Sequence, residues 1–334
     1  MEFNAYSQSA TFNSPLADFE EVTESVEVRQ DPLTGRTARI VDGAFVMPDS
    51  YDIDTVVSDD DGCFFCPENV AEATPTYPDW MDVDRGSHGE ATSFPNLNPY
   101  GSYSNVVVLT ETHFQPMEQF TATQFADGLT AALEYVDAVF DHDEDVSHAS
   151  VNMNFLRSAG SSLVHPHLQT LVDDRGTNAQ RELLAASRQY RDAEGSTYWA
   201  DLVDVERGGD RWIGTAGPVD WLAAFAPKHH RHVLAVAPDT NRAEMGRETV
   251  EGFAAGLPNV LAAYADAGLN AFNLVLHLVD EPALPPVMSV IARSVFDEYY
   301  WSDSPFFTVL HDEGVVDTPP ETYAEEARTE FEAR

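Results

Sequence analysis

The chain contains one lysine, Lys228, and two cysteines, Cys63 and Cys66. Two cysteines cannot build a disulfide framework. Long apolar runs are missing as well. The most apolar stretch, residues 252–279, is interrupted by Pro258, Asn259, Asp266 and Asn270, whereas a membrane span needs ~20 nearly uninterrupted apolar residues. The opening MEFNAYSQSA has neither a basic region nor an apolar stretch, so it does not read as a secretory signal. A cytoplasmic protein is the expectation. Positive charge is scarce: 18 Lys and Arg face 57 Asp and Glu, a net charge of -39. No basic face can be assembled to release counterions from phosphates, which excludes nucleic acid and anionic membrane as general partners. The nucleotide-binding GxGxxG, the P-loop and the GxSxG elbow are absent too.

What is present is a core. Hydrophobic residues make up 43% of the 334, and aromatics 11%, enough to bury about two domains' worth of apolar surface. The acids are scattered in short runs such as Asp59–Asp60–Asp61. They read as an acidic surface throughout, not as an acidic tail. Self-repulsion of this size opposes compactness in dilute salt. It is screened within ~3 Å at 1 M salt. The chain therefore reads as halophilic, built for a salt-rich cytoplasm.

Along the chain, residues 1–27 read as a loosely held N-terminal arm. Strands are expected around the turn Asp31–Pro32–Leu33–Thr34–Gly35. Residues 48–90 read mostly as loop. Ser104–Thr110 is a short apolar run, a buried strand. Gln119–His142 follows a helical period with Phe125, Leu129, Leu133, Val136 and Phe140 on one stripe, and Thr121 with Gln124 spells a capping box. Strands are expected at Ser150–Phe155 and Leu168–Val172. The order then recurs. His232–Ala237 is a strand, Arg247–Ala267 a helix that Pro258 should kink or break, and Phe272–Val279 a closing strand. This reads as a degenerate duplication, with a first repeat over 28–200 and a second repeat with a C-terminal segment over 201–334. From residue 303 onward the chain reads as an acidic tail, partly helical from Pro320.

Two segments carry chemistry. In Gly160–Ser161–Ser162–Leu163–Val164–His165–Pro166–His167–Leu168–Gln169, two histidines flank a proline on an extended segment, where i and i+2 share a face. Proline confines such a segment to a rim. Imidazole can attack phosphorus, and the upstream Gly160 and Ser162 offer an amide and a hydroxyl for phosphate oxygens. Two ordinary surface histidines are the bland alternative. In Cys63–Phe64–Phe65–Cys66 the CxxC is a redox pair, half of a zinc site or incidental. A Cys2His2 zinc set would need two histidines from elsewhere. The basic run Lys228–His229–His230–Arg231–His232 either receives a phosphate or is the solvated entry to a strand. His277 reads as a core histidine.

Asn154, Gly160, Ser162 and HPHxQ at this spacing, the DPLTG turn, the CxxC, Phe94–Pro95–Asn96 and His113 together resemble the galactose-1-phosphate uridylyltransferase family. That family is the transferase branch of the histidine triad superfamily. The resemblance implies an α+β fold of two histidine-triad-like repeats, mainly antiparallel sheet with flanking helices. It implies His167 as the nucleophile that carries the nucleotide, with Gln169 and Ser162 steadying the phosphoryl oxygens. It places Asn154 and Gly160 at the phosphate and Asn96 at the nucleoside. It implies a structural zinc held by Cys63, Cys66, His113 and His165. The substrates implied are a nucleoside diphosphate sugar and a sugar 1-phosphate, handled by a homodimer. An ADP-sugar or dinucleoside polyphosphate phosphorylase would use the same histidine, and a non-catalytic zinc protein that binds nucleotides is the reading from another class. The chain departs from the family at Arg36–Thr37–Ala38–Arg39, which the family's S-P-x-R-x-x-R stretch does not follow. It also lacks the family's C-terminal lysine and Tyr-Glu pair, so galactose itself is not implied.

The charge pattern yields one expectation for the whole molecule. The thermal midpoint should rise steadily as KCl is raised toward molar concentrations, and a flat profile would contradict the halophilic reading.

Overall fold

The computed structural model describes residues 1–41, 57, 62–294, 304 and 306–333. Strands β1 (Asn4–Ser14) and β2 (Glu20–Gln30) form a long hairpin, and β3 (Thr37–Ile40) pairs with β2. The expected turn lies between β2 and β3. Asp31 accepts from the Leu33 and Thr34 amides, and Gly35 takes the positive φ of 74° that closes it. Part of the segment expected to be loop falls on residues 42–56 and 58–61, which lie outside the described residues. From Gly62 onward the chain forms the short helix α1 (Pro67–Ala73) and strands β4 (Gly86–His88) and β5 (Ala91–Pro95).

The chain then builds its strand–helix–strand unit twice. Strand β6 (Tyr103–Val108) leads to helix α2 (Ala122–His142) and to strands β7 (His148–Phe155) and β8 (His167–Asp173). The capping box of Thr121 and Gln124 is formed. Helices α3 (Asn178–Glu194) and α4 (Tyr198–Glu206) come next, then strands β9 (Trp212–Ala216), β10 (Val219–Ala223) and β11 (Val233–Val236). Helix α5 (Arg247–Asp266) runs unbroken through Pro258, against the expectation of an early break. Strands β12 (Ala271–Val279) and β13 (Val287–Arg293) complete the second unit. Helix α6 (Phe306–Leu310), strand β14 (Gly314–Val316) and helix α7 (Pro320–Ala333) close the chain.

Ten strands form one sheet in the order β4-β5-β6-β8-β7-β12-β13-β11-β10-β9. The two units meet at the antiparallel pair β7–β12, where Asn154 faces Asn273. One face is dry. Alternate residues Ala149, Val151, Met153 and Phe155 of β7 and Phe272, Leu274, Leu276 and Leu278 of β12 point toward α2 and α5. Gly256 lets α5 approach closely, since a Cβ there would sit 2.1 Å from the Trp221 ring. The C-terminal segment is no loose tail. Tyr323, Ala324 and Ala327 of α7 are buried in this same core. Glu321 binds Arg29 through two contacts of 2.9 Å and Arg211 through another of 2.9 Å.

Among the described residues the other face is covered at its ends. Leu184, Tyr198, Trp199 and Leu202 of α3 and α4 pack on Leu222, Val236 and Val287 at the second unit's end. Phe65 and Val70 pack on Phe94, Val106 and Val108 at the first unit's end. Between these caps the central strands present Gln169, Asn152, Asn154 and Asn273, none of them fully buried. The polar face of an otherwise buried sheet is where the candidate residues gather.

Candidate active site

The two cysteines come from the segment that leads into α1, and both histidine ligands implied by the resemblance come from the margins of β6 and β8. One candidate ligand atom from each of Cys63, Cys66, His113 and His165 lies within 4.8 Å of every other. Cys63 Sγ and Cys66 Sγ stand 3.6 and 3.7 Å from His165 Nδ1, and Cys66 Sγ stands 3.5 Å from His113 Nδ1. With Zn–S of ~2.3 Å and Zn–N of ~2.0 Å at a tetrahedral angle, sulfur and nitrogen ligands of one ion stand about 3.6 Å apart. The donor set and its spacing fit zinc.

His165 is fully buried, and its Nε2 donates to the Thr110 carbonyl at 2.7 Å. That bond assigns the ring proton to Nε2 and leaves the Nδ1 lone pair for the cluster. Burial pulls the His165 pKa down to about 4, against the Thr110 bond that opposes it. The ring is a neutral donor at any ordinary pH. His113 Nε2 is also buried, and has no partner among the described residues. The CxxC loop does a second job. Phe65, held between the two cysteines, sets its ring edge-on to His167 with centroids 5.2 Å apart.

His167 opens β8. Its Nδ1 donates to the His165 carbonyl at 2.8 Å, so Nε2 is left with a lone pair. The ring is mostly buried, with 6% of the residue exposed, and burial lowers its pKa. The HPH backbone is tied to the neighbouring strand by Leu109 N donating to Pro166 O at 3.0 Å. Two residues on, Gln169 shares the face of His167, and its side-chain amide has no hydrogen-bond partner among the described residues.

Asn154 lies across from His167. The β7–β8 register pairs Met153 with Leu168, and one further step brings Asn154 beside the catalytic candidate. Gly160 closes a tight turn at φ 91°, and a Cβ there would stand 3.8 Å from Asn154 Nδ2. Leu156 begins this turn at φ 67°, a costly conformation for a leucine. Ser162 is exposed just beyond it. Thus His167, Gln169, Asn154 and Gly160 come together, and Ser162 follows on the same loop. Asn96 does not join them. It lies past the end of β5, two strands away and level with Ser104, roughly 13 Å along the strands from His167, and its Oδ1 accepts from Asn98 N at 3.0 Å. Arg36 and Arg39 are engaged elsewhere, with Glu182 and with Glu313.

Two further residues belong to the site. Asn273 of β12 donates through Nδ2 to Asn154 Oδ1 and to the Ala159 carbonyl, both at 2.7 Å. Arg293 of β13 donates to Asn273 Oδ1 at 2.9 Å. The second unit thereby sets the Asn154 amide with its Nδ2 toward the glycine turn and clamps the turn itself. The only signal of this in the sequence is the matching asparagine in the two strands SVNMNF and AFNLVL, which does not reveal their pairing.

No family model matches the chain. A protein of Archaeoglobus fulgidus, described only as uncharacterized, is 34% identical over 305 residues, covering 91% of this chain and 92% of its own. Among solved structures, an ADP-glucose phosphorylase from Arabidopsis thaliana with bound ADP-glucose superposes at a TM-score of 0.70 with 16% identity, over 91% of this chain and 98% of that one. A GalT-like protein from Arabidopsis thaliana gives 0.68 with 17% identity, over 90% and 98%. A uridylyltransferase gives 0.66 with 20% identity, over 92% and 98%. Likeness at this identity establishes the fold.

The donor cluster makes a direct prediction. Purified wild-type chain should carry about one zinc per molecule by elemental analysis, and Cys66→Ser should lose most of it. Equal metal in both would remove Cys66 from the ligand set.

Proposed function

From a chain that belongs to one family with the Archaeoglobus fulgidus protein and has the fold of the GalT-like uridylyltransferases, we infer a nucleotidyltransferase that works through a nucleotidyl-histidine on His167. The observation that carries this reading is the His167 ring. Its Nδ1 is occupied by the His165 carbonyl, which leaves the lone pair on Nε2, and Gln169 and Asn154 stand beside it on the polar face of the sheet.

The reaction divides into two displacements. His167 Nε2 attacks the α-phosphorus of a nucleoside diphosphate sugar, a nitrogen–phosphorus bond forms, and the bond to the departing sugar 1-phosphate breaks. An acceptor phosphate oxygen then attacks the same phosphorus from the vacated side, and the nitrogen–phosphorus bond breaks. As positive charge develops on the ring, the His165 carbonyl steadies the Nδ1 proton. The amide of Gln169, the Asn154 Nδ2 and the Ser162 hydroxyl supply donors for the phosphoryl oxygens. A zinc ion in the Cys63–Cys66–His113–His165 set would supply a structural crosslink that fixes the backbone aiming His167.

Gln169 bears on the fate of the intermediate. An amide does not shuttle protons, so no side chain at this position activates water. Transfer to a sugar 1-phosphate, or to inorganic phosphate, is favoured over hydrolysis. The superposition with an ADP-glucose phosphorylase keeps phosphorolysis of an ADP-sugar as the second reading.

The test is intact-mass spectrometry at high KCl after mixing with UDP-glucose or ADP-glucose. A uridylyl adduct on His167 supports the transferase, an adenylyl adduct supports the phosphorylase, and no adduct with either contradicts both. His167→Gly should lose turnover by about 10³-fold or more, roughly 4 kcal/mol of barrier, with metal content and thermal midpoint kept. Asn273→Ala should slow adduct formation about tenfold while zinc stays bound.

A further inference from the structure

Arg36 and the basic run around Lys228 have no part in that chemistry. They meet at a cavity in the second unit, on the same sheet face as His167. Its walls include Asp31, Arg36, Trp199, Lys228, His232 and Ser289, and its solvent space is about 50 Å³. By that measure one water needs ~10–15 Å³. The space holds roughly four oxygen-sized groups, which suits a tetrahedral oxyanion and is too small for a nucleotide.

The charges around it are nearly all committed. Arg36 Nε binds both carboxylate oxygens of Glu182 at 2.9 and 3.0 Å, and its Nη2 binds Asp312. Asp31 Oδ1 accepts from the Leu33 and Thr34 amides and from the Thr34 hydroxyl. Lys228, at the rim, forms no ion pair among the described residues; burial and the Arg36 guanidinium lower its pKa, and Asp31 and Glu182 oppose them.

His232 supplies the second feature. It is 3% exposed, and its Nδ1 accepts from the Lys228 amide at 3.3 Å. The ring hydrogen therefore sits on Nε2, which is buried with no hydrogen-bond partner among the described residues. Burial, then the Lys228 ammonium and His229, hold the His232 pKa down to about 3. Lys228 also adds to the burial that keeps His277 neutral. The imidazole is thus a neutral N–H donor near an ammonium that forms no ion pair among the described residues. A buried donor of this kind costs free energy unless something accepts from it.

The cavity is separate from the catalytic candidate. Across the sheet, Asn154 pairs with Asn273 and Asn273 with Ile291, and the Val233–Val290 pairing sets His232 next to Ile291. His167 and His232 thus occupy one row, four strand steps or about 19 Å apart.

We propose that this cavity is a second, non-catalytic site for a phosphate-sized oxyanion, held by the Lys228 ammonium and the His232 Nε2–H, with the Ser289 hydroxyl also lining the space. The site does not depend on the nucleotidyl-histidine reading.

Inorganic phosphate is the probe, titrated calorimetrically into the full chain at fixed high KCl, alongside Lys228→Gln, Lys228→Arg and Ser289→Ala. The wild type should bind phosphate and show a thermal midpoint that rises with its concentration, as binding to the native state requires. Lys228→Gln should weaken this binding about tenfold or more, Lys228→Arg should retain most of it, and Ser289→Ala should weaken it severalfold. Adduct formation on His167 should stay at the wild-type level in all three. Should Lys228→Gln fail to fold, the Arg and Ser289 variants carry the comparison. No phosphate binding by the wild type, undiminished binding by Lys228→Gln, or undiminished binding by Ser289→Ala would overturn the proposal.

Discussion

Four side-chain atoms, two sulfurs and two imidazole nitrogens, converge from three separate stretches of chain, and the candidate active site depends on that convergence. Cys63 and Cys66 bring in the segment before α1, His113 the loop beyond β6, and His165 the approach to β8. Sulfur–nitrogen separations of 3.5–3.7 Å are those of a tetrahedral site. Because His165 is two residues from His167 and its carbonyl holds the His167 Nδ1, a constraint on the first ring is a constraint on the aim of the second. Phe65 adds an apolar edge-on contact to the His167 ring. Loss of any ligand would loosen loop, strand end and ring together.

The two repeats have divided their work. The first holds the cysteines, the HPH segment and the glycine turn. The second keeps the same strand–helix–strand frame without a histidine motif and supplies support instead. Asn273 uses both amide hydrogens at once, one on Asn154 and one on the Ala159 carbonyl, and Arg293 fixes its orientation. A shared sheet makes this possible, since β7 and β12 lie side by side and place Asn154 against Asn273. Helices α2 and α5 bury the opposite face, so a shift at one repeat is resisted by the packing of both.

Much of this was legible in the sequence, for physical reasons that differ from element to element. The apolar stripes of α2 and α5 announce helices because each buries one face. His165 and His167 read as a pair because an extended chain turns alternate residues to one side. The N-terminal hairpin was not legible. Nearly all of β1 is exposed, so neither face leaves an apolar alternation, and an arm was all that its polar composition implied. Helices α3 and α4 escaped notice because they are short or strongly charged, although the Thr177–Gln180 capping box marks the start of α3. The C-terminal helix reads as tail by its acids, yet Tyr323 and Ala324 are buried and Glu321 answers Arg29 and Arg211. Periodicity reports which face is apolar, but it cannot report which distant arginine a glutamate will meet. The same holds for Asn273, whose importance lies in a cross-repeat pairing that no local pattern encodes.

The most direct measurement of the central claim is the protonation pattern of the His167 ring, read from ¹⁵N-resolved imidazole spectra of the metal-loaded chain at neutral pH. The account predicts a proton on Nδ1, bonded to the His165 carbonyl, and a bare Nε2. A proton on Nε2 would leave no lone pair there to attack phosphorus and would contradict it.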